Sequence, residues 1–169
     1  AYGHGACKIS TILNKMGIKA FAVATIEEGI QLRKNGIRGE ILILGYTNIK
    51  RASDLEKFDL IQTLIDFEYA KALNSQNFAV KVHIKIDTGM HRLGFSCKEV
   101  LAVKKVFEMK NLKICGIYTH LCCTDSLMPD DIAFTRKQID NFYRLIDDLK
   151  DGKINIPKVH IQSSYGLLN

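Results

Sequence analysis

The chain has 169 residues, 47% hydrophobic and 25% charged, with a formal net charge of +6. That balance excludes disorder and leaves enough apolar mass for one domain with a sizeable core, or for a large piece of a bigger one. No apolar run reaches the roughly 18–20 residues that cross a bilayer, no signal peptide opens the chain, and the lysines form no basic stripe with interleaved aromatics, so nucleic acid is not an expected partner.

The first stretch, "AYGHGA" from Ala1, reads as a glycine-lined turn after a strand, carrying a phenol at Tyr2. A helix follows over Cys7–Lys15, then an apolar run "AFAVA" (20–24). Thr25 before "IEE" reads as the N-cap of a helix over Ile26–Lys34, and Gly17 and Gly36 stand where helices stop. "ILILG" (41–45), a helix over Asn48–Lys57, "LIQTLI" (60–65) and a helix over Glu68–Asn74 continue the rhythm. "VKVHIKI" (80–86), a helix over Cys97–Met109, "LKICGIYTH" (112–120), a helix over Asp131–Leu149 and "KVHIQ" (158–162) complete it. In the helix over 131–149, Ile132, Ile139, Phe142, Leu145, Ile146 and Leu149 recur at helical spacing and predict one apolar stripe.

Six short β-branched runs alternating with helices, without long linkers, predict an α/β fold with a parallel sheet and right-handed crossovers. A doubly wound sheet and a (β/α) barrel both satisfy this pattern. In either, ligands gather at the C-terminal ends of the strands, where "TH" (119–120) and "QSS" (162–164) stand.

The run "VHIKIDTGMHRLGF" (82–95) carries the sharpest chemistry. Lys85 alternates with Ile84 and Ile86, and a lysine inside a buried strand requires an anionic partner or a chemical change. Asp87, on the same face, is the plain partner. The turn after it delivers Arg92 to the strand's mouth, where His120, Ser163 and Ser164 from the other strand ends would join it and Tyr2 around one anionic ligand. A Ser-His-Asp hydrolase would need a G-x-S-x-G elbow, and dinucleotide or Walker motifs would need glycines and a lysine that this chain lacks. The five histidines lack metal-ligand spacing. Cys7, Cys97, Cys115, Cys122 and Cys123, an odd set without C-x-x-C, read as free thiols of a reducing compartment; Cys122 and Cys123 are too close in sequence to serve as two ligands of a structural zinc.

Taken together, "AYGHGA", "KIDTGMHRLGF", "GIYTHL" and the H-x-x-S-S of "HIQSS" resemble the pyridoxal-phosphate-dependent alanine racemases in order and spacing, over essentially the whole chain. "SSYGLLN" is more similar to the membrane-bound serine/alanine racemases associated with vancomycin resistance. The resemblance implies residues 1–169 as a partial cofactor-binding domain, a portion of a (β/α)8 barrel with about six strand-helix units. It places the Schiff-base lysine three residues before Ala1, and a C-terminal β-domain, which would bring the catalytic tyrosine of a partner subunit, beyond Asn169. Pyridoxal 5'-phosphate is the implied cofactor: Tyr2 and Ser164 would bind its phosphate, Arg92 its phenolic oxygen, and His120 would pack on its ring. Lys85 matches a lysine that is carbamylated in many members, which would turn a buried cation into an anion able to orient Arg92. Ser163 departs from the family's usual asparagine, and Gln162 does not simply replace it.

The implied function is racemisation of L-serine or L-alanine to the D-form for peptidoglycan precursors, in a homodimeric parent, with this segment on the cytoplasmic side and any membrane anchor in a separate domain. Neither catalytic base would lie in the chain, so the segment alone is expected to be inactive. The alternative is a non-catalytic pyridoxal-phosphate carrier on the same barrel; a related barrel decarboxylase or amino-acid aldolase would share these motifs less closely, and in a barrel for another phosphorylated ligand the motif residues would play structural roles.

Overall fold

The computed structural model describes residues 3–161 and 163–167. In chain order it forms α1 (Ala6–Lys15), β1 (Ala20–Val23), α2 (Ile26–Lys34), β2 (Glu40–Ile43), a 3-10 turn (Ile49–Arg51) leading into α3 (Ala52–Lys57), and β3 (Ile61–Leu64). These are followed by α4 (Phe67–Asn74), β4 (Val80–Asp87), β5 (Phe95–Ser96), α5 (Val100–Phe107), β6 (Leu112–Thr119), α6 (Pro129–Asp151), β7 (Val159–Ile161) and a last 3-10 turn (Tyr165–Leu167).

All pairings are parallel, and the strands lie in the order β1-β2-β3-β4-β6-β7. A doubly wound sheet reverses direction at a switch point; this one only ever adds the next strand to the same side, which selects the barrel. The sheet is also curled. Lys158, just before β7, pairs with Glu40 at the start of β2, four strands away. In a flat sheet those strands would stand about 19 Å apart, beyond the reach of two side chains. The molecule is thus the curled, six-stranded portion of a (β/α) barrel that the sequence predicts.

The strand period of two sorts residues onto two surfaces. Ile41, Ile43, Leu64, Val82, Ile84, Ile86 and Ile117 pack outward into one core with the helices, while Leu42, Ile61 and Tyr118 form a smaller cluster on the concave face. His83, Lys85 and Thr63 share that concave face with Tyr118, and all three are buried.

Helix starts follow from local chemistry. The Thr25 side chain accepts from the Glu28 N–H at 3.4 Å while the Glu28 carboxylate accepts from the Thr25 N–H at 3.4 Å, a reciprocal cap on α2, and also from the Ala24 N–H at 2.7 Å. Replacing Thr25 with alanine is expected to cost about 1 kcal/mol, read as a lower midpoint in urea unfolding.

Two departures from the sequence pattern matter. The helix expected over 97–109 is shorter, Val100–Phe107, because Cys97 and Lys98 form a turn closed by the Glu99 N–H on the Ser96 carbonyl, and ahead of that turn Phe95 and Ser96 make two-residue β5 against Ile86 and Asp87. On α6, Phe142, Leu145, Ile146 and Leu149 are buried as predicted, but Ile132 is 37% exposed, and the fully buried position on the upper part of that stripe is Gln138.

Candidate functional site

Three neighbouring strands, β4, β6 and β7, end at one rim. The turn after β4 carries Arg92, exposed to solvent; His120, half-buried, follows β6 directly; Ser163 and Ser164 follow β7. Ser163 is half-buried, and its hydroxyl bonds the Thr124 hydroxyl of the loop after β6. The last two strand ends are therefore laced together. Tyr2 and Gln162 lie outside the described residues.

Below Arg92, Lys85 is only 3% exposed. Its expected partner does not take it up. Asp87 Oδ1 accepts from the Gly89 and His91 N–H groups, each at 3.0 Å, and Oδ2 faces His91 Nδ1 at 3.4 Å. Burial acts against the charge of that carboxyl, but these turn amides prevail and hold it below the usual aspartate range. Lys85 Nζ instead donates to the Leu93 carbonyl at 2.8 Å and stands 6.0 Å from the centre of the Tyr118 ring. Burial pushes the Lys85 ammonium down from the lysine range; Asp87 opposes this and the Arg92 charge adds to it. A buried amine bonded to a carbonyl, with no ion pair among the described residues, is the state in which neutral amine chemistry is favoured.

The hub of the rim is a residue that sequence reasoning passed over. Gln138 Nε2 donates to Thr88 Oγ1 at 3.2 Å and to the His120 carbonyl at 3.3 Å, while Oε1 accepts from the Cys122 N–H at 3.2 Å. One fully buried amide on α6 thus ties the end of β4, the end of β6 and the following loop. Thr88 and Thr119 extend the link: their hydroxyls lie 3.0 Å apart, and Thr119 donates to the Ile86 carbonyl. The signal was in the sequence, since Gln138 occupies an apolar-stripe position of a long helix, four residues before Phe142 and seven before Leu145.

Deeper on the concave face, Tyr118 stacks on His160 with ring centres 4.9 Å apart and planes within 4°. Its hydroxyl bonds Thr63 Oγ1 at 3.1 Å. His83 Nδ1 meets His160 Nε2 at 3.0 Å, and His83 Nε2 is buried without a hydrogen-bond partner. That ring edge fits because residue 116 is glycine: a Cβ there would lie 2.9 Å from His83 Cε1. Burial, reinforced by His160, pushes the His83 imidazole down to about 4.

Among the described residues no three His, Cys, Asp or Glu side chains gather as metal ligands, and no helix is long and apolar enough to cross a membrane. What the rim offers is a cation, an imidazole and hydroxyls from adjacent strand ends, a donor set for one anionic, flat ligand.

Comparison with known proteins bears on this rim. Residues 1–169 match the family described as "Alanine racemase, N-terminal domain". The chain is 54% identical, over its whole length, to an amino-acid racemase of Enterococcus faecalis and 43% identical to the serine/alanine racemase of Enterococcus gallinarum, covering 24% of each. Against the solved alanine racemase of Clostridium difficile 630 the TM-score is 0.92 at 32% identity, with all of this chain and 45% of that one superposed. The chain thus spans about a quarter of the length of those curated relatives.

Proposed function

The chain belongs to the alanine racemase N-terminal domain family, and on that premise we propose that its parent protein interconverts the enantiomers of a small amino acid, serine or alanine, using pyridoxal 5'-phosphate. The observation that carries the reading is the buried, carboxylate-free Lys85 beneath the rim that presents Arg92, His120 and Ser163. The donor set fits the cofactor: hydroxyls suit a phosphate, a guanidinium suits a phenolate oxygen, and an imidazole suits the face of a pyridine ring. When bound, the cofactor supplies an electron sink for the pair left at Cα after deprotonation.

This segment binds and orients. Tyr2 and Ser164 hold the phosphate, with Ser163 fixed beside it by Thr124. Arg92 holds the phenolic oxygen, and His120, anchored through its carbonyl by Gln138, backs the ring. The Lys85 amine takes up carbon dioxide to give a carbamate and release a proton, placing an anion where it orients Arg92. Two opposed bases, a lysine and a tyrosine, would come from parts of the protein outside these residues, so the 169-residue segment alone is expected to be inactive. The parent is a homodimer that supplies D-amino acids for the cell wall, with the racemase segment on the cytoplasmic side and any membrane anchor in a separate domain. Similarity to the E. gallinarum serine/alanine racemase favours serine as a substrate, and the likeness of "SSYGLLN" to the racemases associated with vancomycin resistance suggests a place in that process.

The test is to assay the full-length protein with added pyridoxal phosphate for D-serine from L-serine and D-alanine from L-alanine. Turnover of either supports the reading, and the ratio of rates gives the preference. Cofactor binding without turnover would favour a carrier of pyridoxal phosphate instead. For Lys85, protein equilibrated with carbon-13 bicarbonate is expected to show one carbamate resonance that is missing in Lys85→Met.

A further inference from the structure

Two residues past His120 the loop carries Cys122 and Cys123, which the rim chemistry does not use. Side chains of successive residues in extended backbone point to opposite sides. Here the backbone bends at both positions, and the sulfurs face each other at 3.6 Å. The arrangement is anchored: Gln138 Oε1 accepts from the Cys122 N–H at 3.2 Å and lies 3.5 Å from Cys122 Sγ, and the Cys123 carbonyl accepts from the Ser126 N–H. Both thiols are partly exposed, so a small reagent reaches them. We propose that Cys122 and Cys123 form a two-sulfur binding site for a trivalent arsenical, an arsenic(III) centre with one carbon substituent and two exchangeable oxygen valences.

The geometry favours capture of a third atom over closure of a disulfide. Disulfide-bonded cysteines keep Cα atoms about 4.4–6.8 Å apart, whereas adjacent residues across a trans peptide are held at about 3.8 Å. A direct S–S bond would also draw the sulfurs in from 3.6 Å to about 2.05 Å. A bridging arsenic leaves the sulfurs apart and strains neither residue. Metal ions that need three or four protein ligands are poorly served, since no third such ligand gathers here among the described residues.

The resting thiols suit the same chemistry. The contact with Cys122 raises the Cys123 thiol above the usual cysteine range, with burial and the charges of Asp131 and Asp125 acting the same way. Cys123 is therefore a poor nucleophile on its own, but the two adjacent thiols together condense with an arsenous acid. For R–As(OH)2, two S–H and two As–O bonds break, two As–S bonds form and two waters leave; arsenic stays trivalent and nothing is oxidised. Nothing in this step depends on the cofactor.

The probe is phenylarsine oxide, added to the full-length protein, with intact mass and free-thiol count as readouts. The wild type is expected to bind one equivalent more than Cys122→Ser or Cys123→Ser, losing two thiols in doing so. A small dithiol should release that equivalent, and an equal excess of a monothiol should leave it bound. Each single serine variant should weaken capture about a hundredfold or more, because the second sulfur binds at high effective concentration. The triple variant Cys7→Ser, Cys97→Ser, Cys115→Ser should keep it, which separates this pair from the other thiols even where one variant folds poorly. Equal capture by wild type and Cys123→Ser, release by monothiol, or ready closure of a Cys122–Cys123 disulfide under a mild disulfide oxidant with no arsenical bound would each overturn the proposal.

Discussion

Gly94→Ala is expected to lower stability by roughly 2–6 kcal/mol and to abolish function in the parent protein. Gly94 has φ +121°, and a Cβ there would lie 2.8 Å from the Lys85 carbonyl oxygen and 3.0 Å from the Asp87 nitrogen. Both obstacles are backbone of a central strand, so neither can rotate away. The conformational penalty is about 1–3 kcal/mol and forced overpacking adds about 1–3 kcal/mol. The damage falls on the rim. Gly94 stands between Leu93, whose carbonyl holds Lys85, and Phe95, which pairs with Ile86. Two residues earlier sits Arg92. Gly36→Ala is the control: φ is +78° with nothing within 4 Å of the new Cβ, so only the conformational cost of about 1–2 kcal/mol applies. Urea unfolding of both variants decides the matter. Equal losses would show that the contact with the Lys85 backbone is not what requires glycine at 94.

That turn also shows what sequence alone could and could not yield. The strand run at 80–86 and the following glycines located Lys85 and Arg92, because a charged residue inside an apolar alternation is visible without coordinates. The fate of Asp87 was not visible. Residue spacing placed it on the face of Lys85, but the turn folds back so that two amides and His91 claim its carboxylate. Short β5 was hidden for a similar reason: a two-residue pairing has no period to detect. Periodicity by itself left barrel and doubly wound sheet open, since a continuous apolar strand reads alike in both; the motif resemblance pointed to the barrel, and strand order bears it out. Gln138 was legible in principle. A polar residue at a core position of α6 breaks the stripe, and the three elements it joins lie 16–50 residues away in sequence.

The second large effect is a loss of stability with acid that begins well above the range of carboxylates. His83 is 5% exposed and its imidazole is pushed down to about 4, first by burial and then by His160; Lys158 adds to this and Glu40 opposes it. Unfolded, the same group titrates near 6.5. Between those values the unfolded chain holds a proton that the folded chain refuses, so stability is full above about pH 6.5 and falls as pH drops toward 4. The whole loss is about 3 kcal/mol, of which about 1.5 kcal/mol comes between pH 6.5 and 5. The hydrogen bonds give the reason. With His83 Nδ1–H donating to His160 Nε2, the buried and unpartnered His83 Nε2 is a bare nitrogen beside Gly116. Protonating His83 puts an N–H there with nothing to accept it. Protonating His160 fills its Nε2 and forces His83 into the tautomer with the same stranded N–H, so the pair resists the first proton at either ring. Burial and Lys158 lower His160 as well, against Glu40, in the same direction. Unfolding free energies measured from pH 7 to 5 for the wild type and for His83→Leu should diverge: the wild type loses markedly more stability across this window than the variant, which keeps only the smaller contribution of His160. Parallel curves would mean that the acid sensitivity resides elsewhere than in this pair.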